Sequence, residues 1–99
     1  MVSQDELGAK VYAAVAGIPA GYVLSYGALA GMAGAPRNPR LVGQLMSRAP
    51  RELPSHRVVN HAGRTVPGWI EQRALLEAEG VIFKENGCVD LRYSLWRPD

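Results

Sequence analysis

The 99-residue chain contains few of the residues on which disulfide frameworks, metal sites and membrane spans depend. Its single cysteine, Cys88, excludes an internal disulfide and any metal site made of several cysteines. No apolar run reaches about 18 residues and no signal-peptide pattern precedes Ser3, so neither a membrane span nor a secretory leader is indicated. We therefore expect a cytoplasmic protein that holds no metal and no cofactor.

Acidic residues are scarce in the middle of the chain. Between Pro36 and Pro67 there are six arginines and one acid, Glu52, whereas from Gly68 onward six acids outnumber four bases. A basic middle third is typical of a surface that faces nucleic-acid phosphates, although a solvated arginine-rich surface has the same composition. With 47% apolar residues, residues 1–99 can form one small domain with a modest core.

Capping signals and helical periodicity predict a first and a last long helix. Ser3 and Glu6 fit a capping box, and the apolar spacing that follows continues until Pro19. A later helix is predicted over about residues 70–79, with Gly80 just beyond its end.

Two short helices are predicted between these two. Ser25 is the expected N-cap of the first, and Asn38-Pro39 are the expected N-cap and first residue of the second, which Pro50 stops. Arg37 and Arg40 lie at the start of the second helix. A pair of short helices joined by a glycine-containing turn is typical of a helix-turn-helix.

The C-terminal third predicts a hairpin. Asn86-Gly87 is a strong hairpin turn signal, and it is flanked by apolar and aromatic segments at 81–83 and 89–93. The stretch 50–68 reads mainly as loop around the pair Val58-Val59. The predicted fold class is therefore α+β and mostly helical: a winged helix-turn-helix with a small C-terminal hairpin.

The segment Pro54-Ser55-His56-Arg57-Val58 resembles the Pro-Cys-His-Arg-Val signature of O6-alkylguanine-DNA alkyltransferases, with serine in place of the reactive cysteine. Three further segments resemble the DNA-binding domain of that family, in the family's order: 23–30, 40–46 and 75–80. The family's usual additional N-terminal domain is not seen in this sequence. Together with the serine, this makes the chain most similar to the alkyltransferase-like proteins, which the ending Leu95-Trp96-Arg97-Pro98 also resembles.

The resemblance implies a DNA-binding surface. Arg40 matches the arginine finger that fills the space left by a flipped nucleotide, and Tyr26 matches the tyrosine that crowds the target's 3′ phosphate. Gly43 would allow close approach of the DNA backbone, but a helix–helix contact would explain a glycine equally well. The alternatives for Arg40 and Tyr26 are a surface arginine and a half-buried core tyrosine. Further phosphate contacts are expected from Arg37, Arg48 and Arg51.

The resemblance also implies a pocket for the damaged base. Met46 and Val58 would form its apolar wall and Ser55 its floor, although plain core membership would also explain the first two. In relatives the loop that here spans 60–69 closes the pocket and offers a stacking arginine. Arg64 or Trp69 could take that part, and Trp69 fits a core position as well. The expected pocket residues are Tyr26, Met46, Ser55, Val58, Arg64 and Trp69.

Ser55, His56 and Glu79 are interpreted as the remains of a catalytic set. The residues themselves suggest the pairing, because Glu79 lies at the negative end of a helix dipole and needs a compensating partner. Glu77 can pair with Arg73 one turn earlier, whereas His56 is the expected partner of Glu79. A structural network is the favoured role. A serine-hydrolase triad is disfavoured because no strand-Gly-x-Ser-x-Gly-helix context surrounds the serine.

The function that follows is non-enzymatic recognition of DNA damage. The resemblance implies minor-groove binding, flipping of an O6-alkylguanine into the pocket and transfer of the site to nucleotide excision repair. The expected partners are double-stranded DNA containing O6-alkylguanine and the damage-recognition proteins of nucleotide excision repair; the protein is expected to be a monomer, nucleoid-associated when bound. Two alternatives stay open: a Cys-to-Ser variant of a true alkyltransferase, and a winged-helix transcription regulator.

Overall fold

Five α-helices, one 3₁₀ helix and a two-stranded sheet make up the computed structural model, which describes residues 4–98. The predicted capping residue Ser3 lies outside the described residues. None of the helices in this range is long and apolar enough to cross a membrane. In chain order the elements are α1 Gln4–Ala16, β1 Leu24–Ser25, α2 Tyr26–Met32, α3 Pro39–Met46, the 3₁₀ helix Ser55–Arg57, β2 Val58–Val59, α4 Glu71–Ala78 and α5 Leu91–Ser94.

The first three helices pack on one another around the larger of two apolar cores. Helical spacing places one face of α1 against α2 and α3, and the buried residues on these helices are Leu7, Val11, Val15, Leu29, Ala30, Val42 and Leu45. The Tyr12 hydroxyl donates a hydrogen bond to the Leu45 carbonyl at 2.7 Å, which joins α1 to the end of α3. The α2–α3 pair is the predicted helix-turn-helix.

Local capping chemistry sets where α2 begins. The Ser25 hydroxyl accepts a hydrogen bond from the Ala28 amide at 3.0 Å, so the predicted N-cap is confirmed. Asn38 also stands at the predicted N-cap of α3 with Pro39 as its first residue, but its side chain makes no capping hydrogen bond. Side-chain capping therefore acts at the start of α2, whereas α3 begins at Pro39 without it.

A short parallel sheet joins the helical layer to the signature segment. Leu24 pairs with Val58 and Ser25 with Val59, and the chain crosses from β1 to β2 through α2 and α3. Both valines of β2 are buried. This pairing fixes the 3₁₀ helix, which immediately precedes β2, close to the start of α2.

The predicted end of α4 is confirmed. Gly80 has a φ of +88°, and its amide donates to the Glu77 carbonyl at 3.0 Å while the Val81 amide donates to the Leu76 carbonyl at 3.1 Å. This is a Schellman motif, which requires the left-handed conformation that glycine adopts without strain. Leu76 and Val81 then belong to the second core, with Val23, Val59 and Val89.

The predicted hairpin is only partly formed. The turn at Gly87 is present with a φ of +88°, but antiparallel pairing is limited to one bridge between Phe83 and Val89. The predicted strand over 89–93 is wrong from Leu91 onward, because that residue begins α5. The cause is Asp90, whose side chain accepts from the Arg92 amide at 3.2 Å and so caps a helical turn.

Gly63 makes the tightest backbone approach of this loop region. Its φ is +87°, and a Cβ added there would lie 2.6 Å from the Val89 carbonyl oxygen. We expect Gly63→Ala to destabilise the protein by about 3 kcal/mol, because left-handed strain and a backbone clash act together. Urea denaturation measures this difference.

Gly68→Ala is the matched control for that substitution. Gly68 has a φ of +85°, but no atom lies within 4 Å of the added Cβ. The control should therefore cost only the conformational strain, about 1–2 kcal/mol. Equal losses in the two variants would show that the contact with Val89 contributes nothing.

Candidate nucleic-acid interface

A cavity of about 160 Å³ opens between the start of α2, the exposed side of α3 and the loops that flank the sheet. Tyr26 contributes from the first residue of α2 and Ser55 from the first residue of the 3₁₀ helix. Gly43 and Met46 contribute from one face of α3, since they are three residues apart. The side chains and backbone around it belong to Tyr26, Gly43, Met46, Ser47, Ser55, Val66 and Trp69. We call this cavity the central pocket.

Four of the six residues expected in the base pocket therefore meet in one place: Tyr26, Met46, Ser55 and Trp69. Arg64 instead lines a neighbouring cavity of about 370 Å³, which it shares with Tyr26 and Val66. Val58 is not on the pocket surface, contrary to expectation. It is 1% exposed and packs in the first core, because its strand is covered on both faces.

Arg40 lies beside the central pocket rather than in it. It is exposed on the first turn of α3 and lines an open groove of about 410 Å³ with Tyr26, Gly43 and His61 among its neighbours. A ligand lying in the groove would therefore contact Arg40 next to the pocket. Tyr26 borders the groove, the pocket and the cavity near Arg64.

The environment of Gly43 decides between the two explanations for this glycine. A Cβ added at Gly43 would have no atom within 4 Å apart from its own stretch of α3 backbone. A helix–helix contact is therefore not what the missing side chain serves. The bare backbone faces the groove and the pocket, which leaves space for a ligand to approach α3 closely.

Tyr26 is half-buried at the junction of these spaces. Burial raises the pKa of its phenol above the usual value, so the hydroxyl stays protonated at physiological pH. A protonated phenol can donate a hydrogen bond to a phosphate oxygen.

Five of the six arginines in the basic middle third are exposed: Arg37, Arg40, Arg48, Arg51 and Arg64. The sixth, Arg57, turns inward, with a side chain only 17% exposed. The sequence predicts no individual role for Arg57 beyond its place in the signature segment. The exposed five supply the positive charge expected of a surface that meets a phosphate backbone.

An ionic cluster of His56, Arg57 and Glu79 begins at the residue that follows Ser55 of the pocket. The His56 Nε2 lies 3.0 Å from the Glu79 carboxylate, which is the pairing expected from the sequence. Arg57 makes a two-pronged contact with the same carboxylate, with its Nε donating to Oε1 at 3.0 Å and its Nη2 donating to Oε2. Its Nη1 donates to the Ile18 carbonyl at 2.7 Å. The cluster therefore joins the signature segment, residues 54–58, to the end of α4 and to Ile18, which lies just after α1.

The electrostatics of the cluster follow from these contacts. The hydrogen bonds from Arg57 are the main reason that the pKa of Glu79 falls from its ordinary value near 4.5 to about 2, and His56 lowers it further. The carboxylate is thus permanently charged near neutral pH and shared between two partners. A triad carboxylate serves its histidine instead, so this arrangement favours a structural role. The expected pair of Arg73 and Glu77 is confirmed as an exposed contact at 3.5 Å.

No three His, Cys, Asp or Glu side chains among residues 4–98 come together in a way that could hold a metal ion.

The chain is similar in sequence to known proteins. Residues 6–81 match the family model described as "6-O-methylguanine DNA methyltransferase, DNA binding domain". The chain is 43% identical over 101 residues to the DNA base-flipping protein of Escherichia coli K12, covering 97% of this chain and 78% of the relative. It is 37% identical over 105 residues to alkyltransferase-like protein 1 of Schizosaccharomyces pombe, covering 95% and 97%.

The fold is also similar to those of solved structures. The chain superimposes on S. pombe Atl1 in complex with damaged DNA containing O6-carboxymethylguanine with a TM-score of 0.81 and 37% identity, over 95% of this chain and 97% of that one. It also superimposes on the Mycobacterium tuberculosis OGT in complex with DNA with a TM-score of 0.61 and 33% identity. That match covers 77% of this chain and 48% of that one.

Proposed function

Because the chain belongs to the family of the 6-O-methylguanine DNA methyltransferase DNA-binding domain, we propose that it binds O6-alkylguanine in duplex DNA and holds the flipped base without dealkylating it. One observation carries this proposal. The central pocket, lined by Tyr26, Met46, Ser55 and Trp69, opens beside a groove that contains Arg40 and the bare backbone of Gly43. A relative with 37% identity was crystallised with DNA containing a damaged guanine.

The family resemblance supplies the steps of binding, and the positions of these groups fit them. Helix α3 enters the minor groove, where the open space at Gly43 allows the DNA backbone close to the helix. The Tyr26 phenol crowds the 3′ phosphate of the target nucleotide and favours its rotation. Arg40 then occupies the vacated place in the stack, where its planar guanidinium can stack on neighbouring bases and donate hydrogen bonds. The extruded base enters the central pocket between Met46 and Trp69.

The bound base keeps its alkyl group because Ser55 stands where the family has a reactive cysteine. A thiol of pKa about 8.5 is readily deprotonated by a neighbouring histidine, whereas a serine hydroxyl has no accessible anion near neutral pH. Binding is therefore reversible, and the protein marks the lesion for damage-recognition proteins of nucleotide excision repair. We further propose that it acts as a monomer in the cytoplasm, associated with the nucleoid when bound.

Binding to two matched duplexes tests the proposal. The duplexes have one sequence and differ only in carrying guanine or O6-methylguanine at a single position. We expect the damaged duplex to bind about tenfold or more tightly, which corresponds to about 1.4 kcal/mol or more. Equal affinities would contradict lesion recognition. A strong preference for one undamaged sequence would instead favour a winged-helix transcription regulator.

The S55C variant tests the absence of repair chemistry. With DNA carrying a labelled O6-methyl group, we expect the wild-type protein to leave all label in the DNA. We expect S55C to transfer label about 100-fold or more slowly than a true alkyltransferase under the same conditions, because Arg57 shares the Glu79 carboxylate that would otherwise support His56 as a base. Efficient transfer to S55C would favour the alternative that the chain is a Cys-to-Ser variant of a repair enzyme.

A further inference from the structure

A single buried amide connects two walls of the central pocket. Gln72 lies on α4 and is 0% exposed, although glutamine is rarely fully buried. Its side-chain oxygen accepts from the Val66 amide at 2.7 Å. Its nitrogen donates to the carbonyls of His56 and Val58, each at 3.0 Å. All three partners are backbone groups, so the side chain joins the segment 56–58 to the loop at Val66.

Those segments form the pocket. Val66 lines both the central pocket and the cavity near Arg64. On the other side, His56 directly follows Ser55 of the pocket floor, and Val58 lies in the strand that pairs with β1 ahead of Tyr26. The distance between the loop wall and the floor is therefore set through the Gln72 amide group.

The chemistry of the contact specifies an amide. One acceptor and two donors are used, which is what a primary amide offers in one plane, whereas a carboxylate lacks donors and an ammonium lacks an acceptor. The partners also fix the orientation of the group, since the Val66 amide needs an oxygen and the two carbonyls need N–H groups. Losing the side chain would leave three inward-facing backbone groups without their partners.

The rest of the loop is held independently of Gln72. The Asn60 side-chain oxygen accepts from the Ala62 and Arg64 amides, and the Gly63 carbonyl accepts from the Val89 amide at 2.8 Å. Removing the amide should therefore release the Val66 end of the loop while the Gly63 end stays in place. The Val66 end is the part of the loop that lines the pocket.

We propose that Gln72 is a positioning residue that sets the width of the central pocket and so the discrimination between damaged and undamaged guanine. This inference rests on the proposed function. It concerns a residue that does not itself line the pocket. Gln72 acts through the backbone of Val66, which lines the pocket, and through the carbonyls of His56 and Val58, which follow Ser55 in the chain.

The test compares two Gln72 variants with a core variant of the same region. Gln72→Met keeps the length of the side chain and removes all three hydrogen bonds. Gln72→Glu is milder, because a buried carboxyl stays protonated and can still accept from Val66 and donate to one carbonyl. Val81→Ala is the control, since it removes buried methyl groups next to α4 and no pocket hydrogen bond. All are studied at a temperature where each is fully folded.

Two readouts separate positioning from general destabilisation. The first is the ratio of affinities for the duplexes with O6-methylguanine and guanine. We expect this ratio to fall about tenfold in Gln72→Met, by a smaller factor in Gln72→Glu, and by less than about twofold in Val81→Ala. The second is hydrogen exchange of the Val66 amide, which should accelerate in Gln72→Met and stay slow in the control.

Each result has a definite meaning. An unchanged affinity ratio in both Gln72 variants, with faster Val66 exchange, would overturn the positioning role. Unchanged Val66 exchange in Gln72→Met would overturn it as well. A wild-type protein that shows no preference for the damaged duplex would refute the proposed function instead. Hydrogen exchange of the Val66 amide would then decide by itself whether Gln72 holds the pocket wall.

Discussion

Replacing Arg40 with alanine is expected to weaken binding to a duplex containing O6-methylguanine by about 100-fold, or about 2.7 kcal/mol. The guanidinium is exposed on the first turn of α3 and lines the groove beside Tyr26 and Gly43. Opening a stack costs a few kcal/mol per base step, so loss of the group that replaces the flipped base should cost a large part of that amount. Equilibrium binding to matched duplexes measures the change.

Arg51→Ala is the matched control. Arg51 is also exposed, but it lies outside the groove of Arg40, by a cavity that borders the other side of Met46, Ser55 and Trp69. It is expected to contact a phosphate only. Its loss should weaken damaged and undamaged duplexes by the same small factor and reduce the salt dependence of binding by about one phosphate. Arg40→Ala should in addition lower the preference for the damaged duplex. A change no larger than that of Arg51→Ala would count against insertion into the stack.

Local chemistry explains which elements could be predicted from the sequence. Ser25 and Gly80 act through their nearest neighbours, as an N-cap and as a left-handed C′ residue, so no tertiary information is needed to place them. The same holds for the apolar spacing that buries one face of α1. These features gave the helix-turn-helix and the end of α4.

The elements that depend on distant partners could not be placed in this way. Strands β1 and β2 have two residues each, too few for any alternation, and each exists only because the other pairs with it. The segment that begins at Leu91 has strand-like residues, and a single cap from Asp90 converts it to a helix. Here a side-chain hydrogen bond outweighs a weak strand preference.

Some residues of the candidate site could likewise be predicted from the sequence, and others could not. The resemblance brought Tyr26, Met46, Ser55 and Trp69 forward because the motif residues themselves line the pocket. It did not reveal Gln72, which lies in a polar position of α4 while the neighbouring Leu75 is 43% exposed. Hydropathy alone would predict a buried leucine and an exposed glutamine. The glutamine is buried because backbone groups of two other segments satisfy its side-chain amide.

The Glu79→Gln substitution is expected to destabilise the folded protein by about 2–3 kcal/mol at neutral pH. The variant keeps the shape of the side chain and removes the charge that faces Arg57 and His56. Arg57 is left as an uncompensated cation with its side chain 17% exposed, and a charge that loses its partner in such a place is costly. Urea denaturation at pH 7 measures the loss, which is a large share of the stability of a small domain.

Glu77→Gln is the control for that measurement. Glu77 lies on the same helix and forms an ion pair with Arg73, but both side chains are about half exposed, at 53% and 50%. Exposed pairs contribute about 0–1 kcal/mol, so this variant should be nearly as stable as the wild type. Equal losses in the two variants would show that Glu79 is no more than a surface charge.

The pH dependence of stability gives an independent reading of the same cluster. The pKa of Glu79 is about 2 in the folded protein and near 4.5 when unperturbed, so the unfolded state binds the proton more readily. The carboxylate therefore contributes its full stability above about pH 5.5 and loses it as the pH falls through 4.5 toward 2. The wild type and Glu79→Gln should thus differ by about 2–3 kcal/mol at pH 7 and converge only as the pH approaches 2. A difference that stays constant over this range would mean that Arg57 does not depend on the charge of Glu79, and that the floor of the pocket is held by packing alone.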